Sequence, residues 1–306
     1  MYNPQLEAFI RVADAGTFSK AAHETHITPT AIIKQINILE ADLGVQLFVR
    51  THRGVKLTEA GKSLYKDAKY LIQYSKDSIT RAKNATQGSE HIIRIGTSPM
   101  TPTKFLMELW PQIHSLYPEL KAQLVPFENT PENAREIMKN FGQNIDLVLG
   151  IYDENLLQQR KSAGLELKKI PIRCAMSIHH RLAEKENLSI QDLFGEKLMI
   201  IQRGWNNHVD LLRDDIEKNY PQITIDDFQF YNTSVFNQCE NSKSILMAIG
   251  AWENVHPLLK ILPVEWDYVV PVGLIFSRTP SEDVHNFIRA VIQIYELDSQ
   301  IYGLEC

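Results

Sequence analysis

The sequence predicts an α/β protein with a small helical N-terminal part, one long helix and a larger C-terminal part of alternating strands and helices. Three observations support this prediction. The 306 residues are enough for two domains of roughly 150 residues each. Residues 58–86 contain no proline and a single glycine, which favours one long helix. After residue 90, short apolar runs alternate with segments of helical periodicity, as in a sheet with covering helices.

The net charge of −5 hides an uneven distribution of charged residues. Residues 1–89 contain 12 Lys and Arg against 8 Asp and Glu, whereas residues 90–306 contain 20 basic and 29 acidic residues. A basic end joined to an acidic remainder is typical of proteins that bind nucleic acid through one domain. Because the charge of a short segment also varies by chance, the order of the residues has to show whether this part of the chain binds nucleic acid.

Other protein classes are disfavoured by composition. No apolar run approaches the roughly 18 to 20 residues of a membrane helix, and charged residues interrupt the first fourteen positions, so we expect neither a membrane segment nor a signal peptide. The three cysteines, Cys174, Cys239 and Cys306, are widely separated. This spacing does not predict a disulfide framework, and we expect a cytoplasmic protein.

Apolar spacing predicts three short helices in the N-terminal part. The first carries Leu6 and Phe9 on one face, and Thr17 is placed to cap the second. Thr28 followed by Pro29 begins the third, because a hydroxyl can cap the free amides and proline suits the first helical position. The core-facing stripe of the third helix contains Ile32, Ile36, Leu39 and Leu43.

Two short helices joined by a tight turn, the second with an exposed polar and basic face, are typical of a helix-turn-helix. Residues 47–58 then predict two short strands around an Arg53-Gly54 tip, which is a basic wing. The major groove of DNA admits one such helix. We therefore predict a winged helix-turn-helix that binds double-stranded DNA, with these contact residues: Thr28, Pro29, Thr30, Ile33, Lys34, Asn37, Arg50 and Arg53.

The motifs of this region closely resemble those of LysR-type transcriptional regulators, a bacterial family. They are FSKAA at 18–22, QI at 35–36, LE at 39–40, LGV at 43–45, LF at 47–48, Arg50 and LTEAG at 57–61. The chain departs from the family where Thr28-Pro29-Thr30 replaces a frequent Ser-Gln-Pro and where Ile33 replaces a frequent serine. The base sequence that the family reads is therefore not carried over to this chain.

The resemblance implies a winged helix-turn-helix, a dimerisation helix and a two-lobed α/β effector domain like that of type 2 periplasmic binding proteins. We expect the DNA-binding domain at 1–58, the linker helix and hinge at 59–88 and the effector domain at 89–306. Within the last, lobe I takes in about 90–161 and 267–302, and lobe II about 162–266. The resemblance also implies a homodimer and favours a tetramer, and RNA polymerase is a candidate partner.

The linker helix, some 28 residues long, would span roughly 40 Å. A helix of that length between two domains favours pairing with a second copy, although packing on its own domain is the alternative. The expected dimerisation seam consists of Leu64, Ala68, Leu71, Ile72 and Ile79.

In the C-terminal part, strands are expected at 92–96, 120–125 and 146–151, with helices at 104–116 and 132–141. A second α/β unit follows, with a strand expected at 228–231, and the final strand and helix at 269–276 and 283–295 return to the first unit. Such alternation predicts a parallel sheet with covering helices. A cleft between the two lobes would be a common kind of ligand site.

Strand ends and helix starts are expected to line this cleft. Backbone amides and hydroxyls near Ser98, with Arg203 from the other lobe, would favour an anion such as a carboxylate. In the alternative, the hydroxyls are ordinary caps, Arg203 points to solvent and Trp205 packs in the core. The candidate effector-binding residues are Thr97, Ser98, Thr101, Thr103, Gln202, Arg203, Trp205, Thr233 and Ser234.

No sequence motif of a hydrolase, a phosphate-binding loop or a zinc protease is present, so we expect no catalytic residue, no metal and no cofactor other than a small-molecule effector. The sequence thus predicts a DNA-binding transcription regulator of the LysR type that responds to an effector in the cleft. Two alternatives stay open: a solute-binding or enzymatic α/β protein with an incidental N-terminal domain, and a regulator that senses redox state through Cys174 and Cys239.

Overall fold

The computed structural model describes residues 2–51, 54–84 and 91–297. The chain divides into two compact units, an N-terminal unit of Met1–Gly88 and a C-terminal unit of Ser89–Cys306.

The N-terminal unit begins with three helices, α1 (Gln5–Ala15), α2 (Phe18–Glu24) and α3 (Pro29–Leu43). Their ends follow the predicted signals. Gly16 ends α1 in the left-handed conformation with φ 72°, and the Thr17 side chain accepts a hydrogen bond from the Lys20 amide at 3.1 Å. Thr28 caps α3 in the same way, through the Ala31 amide at 3.2 Å. The prediction of three helices is confirmed, but Leu43 of the expected core stripe is 46% exposed because it lies in the last turn of α3, next to Gly44.

The predicted wing is an antiparallel pair, β1 (Phe48–Thr51) and β2 (Gly54–Leu57). The Glu40 carboxylate of α3 accepts hydrogen bonds from the amides of Leu47 and Phe48, at 2.6 and 3.1 Å, and so ties the start of the wing to the helix. A long helix, α4 (Glu59–Asn84), follows directly. Gly61 lies so close to the Leu47 carbonyl that a Cβ there would be 2.2 Å from the oxygen.

Helix α4 presents two apolar faces, and the structure separates the residues of the expected dimerisation seam. Ala68 and Ile72 are buried in the core of the N-terminal unit, and Leu64 packs against it, so these three cover their own domain. Leu71 and Ile79 are 46% and 39% exposed. Only this exposed part of the expected seam is free to meet a second copy. The periodicity of a helix predicts that an apolar stripe exists but not which neighbour covers it.

The C-terminal unit contains nine strands and six helices within its described residues. The strands are β3 (Ile92–Thr97), β4 (Lys121–Pro126), β5 (Leu147–Ile151), β6 (Ser162–Ser177), β7 (Lys197–Ile201), β8 (Thr224–Phe228), β9 (Ile245–Ile249), β10 (Leu259–Leu262) and β11 (Val269–Ser277). The helices are α5 (Lys104–Leu116), α6 (Pro131–Lys139), α7 (Glu154–Gln159), α8 (Asn207–Asn219), α9 (Thr233–Glu240) and α10 (Glu282–Ile294).

The strand order β4-β3-β5-β11-β6-β9-β7-β8, with β10 beside β6, defines two lobes. Strands β3, β4 and β5 are parallel in lobe I, and β7, β8 and β9 are parallel in lobe II. The expectation of a parallel sheet holds only inside each lobe, because β6 and β11 connect the lobes and run antiparallel to their neighbours.

Strand β6 belongs to both lobes. Residues 162–171 pair with β11, and residues 172–177 pair with β9 and β10. Each lobe has its own hydrophobic core, the first around Ile95 and Phe287 and the second around Ile200 and Phe236. The strand expected at 228–231 is displaced: β8 ends at Phe228, which leaves the next residues outside the ladder.

Candidate functional site

The exposed face of α3 carries the polar residues that the sequence assigns to DNA contact. Thr28, Pro29, Thr30, Lys34 and Asn37 are exposed, whereas Ile33 is half-buried beside them. The opposite face, with Ile32, Ile36 and Leu39, is fully packed in the core. A helix anchored on one side and polar on the other can enter a major groove without disturbing its own domain.

Arg50 of β1 is the most constrained cation of this surface. Its guanidinium donates a hydrogen bond to the Asn37 side-chain oxygen at 3.1 Å and lies over the Phe18 ring, 5.2 Å from the ring centre. These contacts join α2, α3 and the wing at one exposed position. The side chain makes no other hydrogen bond to a described residue, so its remaining N–H donors are placed to bind a phosphate.

The tip of the wing is described only from Gly54 onward, and Arg53 lies outside the described residues. Gly54 has φ 127°, and a Cβ there would be 2.4 Å from the Gly16 carbonyl oxygen. The same oxygen accepts the Val55 amide at 2.8 Å, so β2 is attached to the end of α1. Only glycine fits this backbone position.

A cavity of about 140 Å³ lies between the two lobes of the C-terminal unit. Of the residues expected in the cleft, Thr101 and Trp205 line it. The rest of the wall is largely apolar and includes Phe127, Met138, Ile151, Leu157, Phe230, Tyr231 and Trp252. The sequence offers the loop at 127–130, which contains Phe127, as a weaker cleft candidate. It missed the other six residues, because several lie in loops or short helices without a periodic signal.

The other expected cleft residues do not line the cavity. The Ser98 and Thr101 hydroxyls are hydrogen-bonded to each other at 2.8 Å, and Thr97 donates to the Thr101 carbonyl at 3.4 Å. Thr103 is buried at the start of α5. Gln202 is exposed after β7, and Thr233 and Ser234 are exposed in the first turn of α9.

Arg203, the cation expected in the cleft, lies on the surface of lobe II. Its guanidinium pairs with Asp214 at 2.5 Å and with Glu217 at 3.1 Å, both on α8. It does not line the cavity. The two carboxylates, three residues apart on one helix face, are the sequence signal that could have predicted this pairing.

Hydrogen bonds between described residues cross from one lobe to the other around the cavity. The Asn129 amide donates to the Tyr231 carbonyl at 2.8 Å, and the Asn206 amide to the Tyr152 carbonyl at 3.1 Å. The Asp153 carboxylate accepts the Asn207 amide at 3.0 Å. The Trp252 indole donates to the Met100 carbonyl at 3.1 Å. A ligand that enters the cavity meets the groups that hold the lobes together.

Arg160, at the end of α7, is a cavity residue that the sequence analysis did not single out. It is half-buried, and its guanidinium donates to the Met138 sulfur at 3.0 Å. Burial lowers the pKa of Arg160, and the nearby Arg135 adds to this effect. In sequence, Arg160 reads as part of a polar surface turn, and only the fold places it in the cavity.

A larger groove of about 630 Å³ lies along Phe105, Lys168 and Arg173. Its cations already have partners: Arg173 pairs with Glu253 at 3.3 Å, and the Lys168 ammonium lies 4.3 Å from the centre of the Phe105 ring. The smaller cavity between the lobes is therefore the better candidate for a charged ligand.

Comparison with known proteins matches both units. Residues 4–62 match the model of bacterial regulatory helix-turn-helix proteins of the LysR family, and residues 86–229 match the LysR substrate binding domain. The chain belongs to the LysR family. The first match takes in α1, α2, α3 and the wing, and the second takes in β3 to β8 of the two-lobed C-terminal unit.

Individual relatives are distant. The HTH-type transcriptional regulator ClcR of Pseudomonas putida is 32% identical over 166 residues, which is 53% of this chain and 56% of that protein. The regulator YvbU of Bacillus subtilis (strain 168) is 26% identical over 72% of this chain and 73% of its own length. The crystal structure of CbnR, a LysR family transcriptional regulator, shares the fold with a TM-score of 0.55 at 18% identity, covering 97% of this chain and all of CbnR.

The cysteines of this LysR-family chain do not favour the redox alternative. Cys174 and Cys239 are fully buried and form no disulfide. Burial raises the pKa of Cys174 above its usual range and that of Cys239 to about 12, so both thiols stay protonated at neutral pH. The thiolate is the reactive form of cysteine, so the burial of these two thiols argues against a redox role. Cys306 lies outside the described residues.

Two further findings concern the described part of the chain. No group of three or more His, Cys, Asp or Glu residues there could hold a metal ion. None of the helices there is both long and apolar enough to cross a membrane.

Proposed function

We propose that this protein is a transcription regulator that binds double-stranded DNA through α3 and changes its promoter binding when a small molecule occupies the cavity between the lobes. The observation that carries the proposal is the arrangement at the exposed face of α3, where Asn37 and Phe18 hold Arg50 beside the helix. A guanidinium held beside a polar helix that fits the major groove can bind a backbone phosphate next to the bases that the helix contacts.

The parts of the chain have separate roles in this proposal. Residues 1–58 bind DNA, residues 59–88 form the linker and hinge, and residues 89–306 bind the effector. We place lobe I at about 90–161 and 267–302 and lobe II at about 162–266, with residues 162–171 of β6 completing the sheet of lobe I. The protein acts in the cytoplasm as a homodimer or tetramer, with RNA polymerase as a further partner.

Contacts to DNA divide into two kinds. We assign Arg50, Arg53 and Lys34 to the phosphate backbone, because cations provide affinity that is independent of sequence. Thr30 and Ile33 are assigned to base edges, with Thr28, Pro29 and Asn37 supporting them at the same helix face. The half-buried Ile33 offers an apolar contact to a thymine methyl group, not a bidentate contact to adenine.

Coupling between ligand and DNA follows from the cross-lobe hydrogen bonds. A ligand changes an equilibrium only by binding one arrangement of the lobes better than another. Asn129, Asp153 and Trp252 line the cavity and also bridge the lobes. A ligand in the cavity therefore contacts residues that set the arrangement of the two lobes. Coupling energies of this kind are typically about 1 to 3 kcal/mol, enough to switch promoter occupancy.

Sequencing of genomic DNA fragments captured by the purified full-length protein tests the proposal. We expect a recurring sequence among the captured fragments, and a changed preference when Thr30 or Ile33 is replaced. If the wild-type protein enriches no sequence over the input library, the regulator proposal fails, and the solute-binding or enzymatic alternative takes its place.

A further inference from the structure

The inter-lobe cavity contains a cation that the protein itself does not neutralise. Among the described residues that line the cavity, Arg160 is the only cationic one. No described carboxylate lies within 4.0 Å of its guanidinium, and the contact that it does make is to a neutral sulfur, that of Met138. Burying a charge without a counter-ion costs free energy that an anionic ligand would restore.

The carboxylate already present in the cavity does not fill this role. Asp153 lines the cavity, but one of its oxygens accepts the Leu156 amide at 3.1 Å and the other accepts the Asn207 amide at 3.0 Å. It caps α7 and bridges the lobes. Its position at the opposite end of α7 from Arg160 leaves the guanidinium open to the cavity.

The wall around Arg160 is otherwise suited to an apolar body. Leu157, Met138 and Ile137 line the cavity next to it, and the rings of Trp205 and Tyr231 form another side, with ring centres 5.6 Å apart. The Trp205 indole N–H donates to no acceptor in the part of the chain that the structure describes. A volume of about 140 Å³ is close to that of a cavity of about 150 Å³ that admits benzene.

We propose that the cavity binds a small monocarboxylate with a compact apolar body, and that Arg160 forms the ion pair with its carboxylate. A guanidinium matches the planar carboxylate through two parallel N–H···O bonds. A phosphate dianion fits less well, because a single cation would face two charges in a cavity that also contains Asp153. The inference deepens the proposed function, since it names the ligand class of the same cavity.

The test is a binding titration of the full-length protein with a panel of carboxylates from acetate to benzoate, each beside its neutral amide and with inorganic phosphate included. Tryptophan fluorescence is a suitable signal, because Trp205 and Trp252 both line the cavity. We expect at least one carboxylate to bind, and its amide to bind at least about tenfold more weakly.

Two variants assign the effect to Arg160. Arg160→Met removes the charge and keeps an apolar side chain of similar length, and it should lower the affinity for the carboxylate about tenfold or more. Arg203→Ala is the matched control, because this arginine is paired on the surface with Asp214 and Glu217, and it should bind as the parent does. Arg160→Lys keeps the charge and should bind with intermediate affinity.

The inference is overturned if no carboxylate binds, if amides or phosphate bind equally well, or if Arg160→Met binds like the parent. It is also overturned if Arg160→Met melts at a markedly lower temperature without ligand, because Arg160 would then be a structural residue. The capture of DNA fragments needs no ligand. Fragments enriched by the parent and by Arg160→Met alike, with no carboxylate bound, would therefore reject this inference and leave the regulator proposal intact.

Discussion

Three arginines of this chain show how neighbours decide what a guanidinium does. Arg203 forms ion pairs with two carboxylates of α8 on the surface of lobe II. Arg50 is held by Asn37 and Phe18 but has no carboxylate partner among the described residues, so its positive charge can attract a DNA phosphate. Arg160 lies half-buried in an apolar cavity. Sequence assigns Arg50 to the wing and contains a signal for the pairing of Arg203, but it does not indicate that Arg160 reaches a cavity.

The first expected outcome concerns Arg50. Arg50→Ala should weaken binding to all DNA sequences by a similar factor and reduce the slope of log affinity against log salt by about 1, as the loss of one phosphate contact does. Asn37→Ala should have a smaller effect in the same direction, because it frees the guanidinium without removing it. Fluorescence anisotropy at several salt concentrations measures both.

Arg181→Ala is the control for these variants, because Arg181 pairs with Glu196 in the C-terminal unit. It should leave the salt slope unchanged. A wild-type slope in Arg50→Ala would mean that this side chain does not contact the DNA backbone.

The second expected outcome concerns Gly61 in the N-terminal unit. A Cβ at this position would be 2.2 Å from the Leu47 carbonyl oxygen, which is backbone and cannot rotate away. Gly61→Ala should therefore lower the free energy of unfolding by about 1 to 3 kcal/mol. Urea unfolding followed by circular dichroism gives the value.

Gly150→Ala provides the comparison, because the nearest atoms to a Cβ there are 3.9 Å away. It should change stability by less than about 1 kcal/mol. Equal losses in the two variants would show that the close approach to Leu47 is not what Gly61 provides.

At the scale of single elements, α4 is the clearest example of what sequence predicts. Its length follows from the absence of proline over residues 58–86 and its amphipathic character from the spacing of its apolar residues, and the helix extends over Glu59–Asn84. The assignment of its apolar residues to one seam does not follow, because Ala68 and Ile72 face the domain core and Leu71 faces outward. Two apolar stripes on one helix are indistinguishable until a neighbour covers one of them.

The third expected outcome separates the two faces of α4. Leu71→Asp places a charge on the exposed face, so the protein should keep its fold but dissociate into a smaller species. Ala68→Asp buries an unpaired charge in the N-terminal core and should destabilise that unit by several kcal/mol. Light scattering measures the first effect, and circular dichroism during urea unfolding measures the second.

Wild-type protein that is monomeric at micromolar concentration would remove the basis of the dimer proposal. A folded, fully stable Ala68→Asp variant would contradict the burial of this position.

Short elements and loops explain most of what the sequence did not predict about the site. Helix α7 has six residues and no periodic signal, so Arg160 after it could not be placed. The strand was expected at 228–231, where Phe228, Phe230 and Tyr231 form an aromatic run. The observed strand is instead Thr224–Phe228. Thr101 and Trp205 were expected in the cleft because each follows the end of a strand, and both line the cavity. The position of a strand end depends on the sheet and not on the details of a single loop.

At the scale of the whole C-terminal unit, β6 and β11 connect the lobes, and hydrogen bonds around the cavity set how the lobes meet. Asn206 is central to this arrangement. It is buried, its amide donates to the Tyr152 carbonyl across the cavity, and its oxygen caps α8 through the His208 amide at 2.9 Å.

The fourth expected outcome therefore concerns Asn206. Asn206→Ala removes the cap and the buried hydrogen bond to the Tyr152 carbonyl, so it should destabilise the C-terminal unit by about 2 to 3 kcal/mol. Asn206→Ser keeps a capping oxygen and should lose only about half of this. All four tryptophans lie in residues 89–306, so their fluorescence during urea unfolding reports on this unit alone. Identical stability of the alanine variant and the parent would contradict the role of Asn206.

The central claim is that occupancy of the inter-lobe cavity changes DNA binding. Its most direct test is the affinity of the full-length protein for its captured DNA sequence, with and without a saturating concentration of the carboxylate that binds most tightly through Arg160. The account predicts a change of about 5- to 150-fold in DNA affinity, and the same factor in carboxylate affinity when DNA is present. Equal DNA affinities with the cavity empty and filled would contradict it.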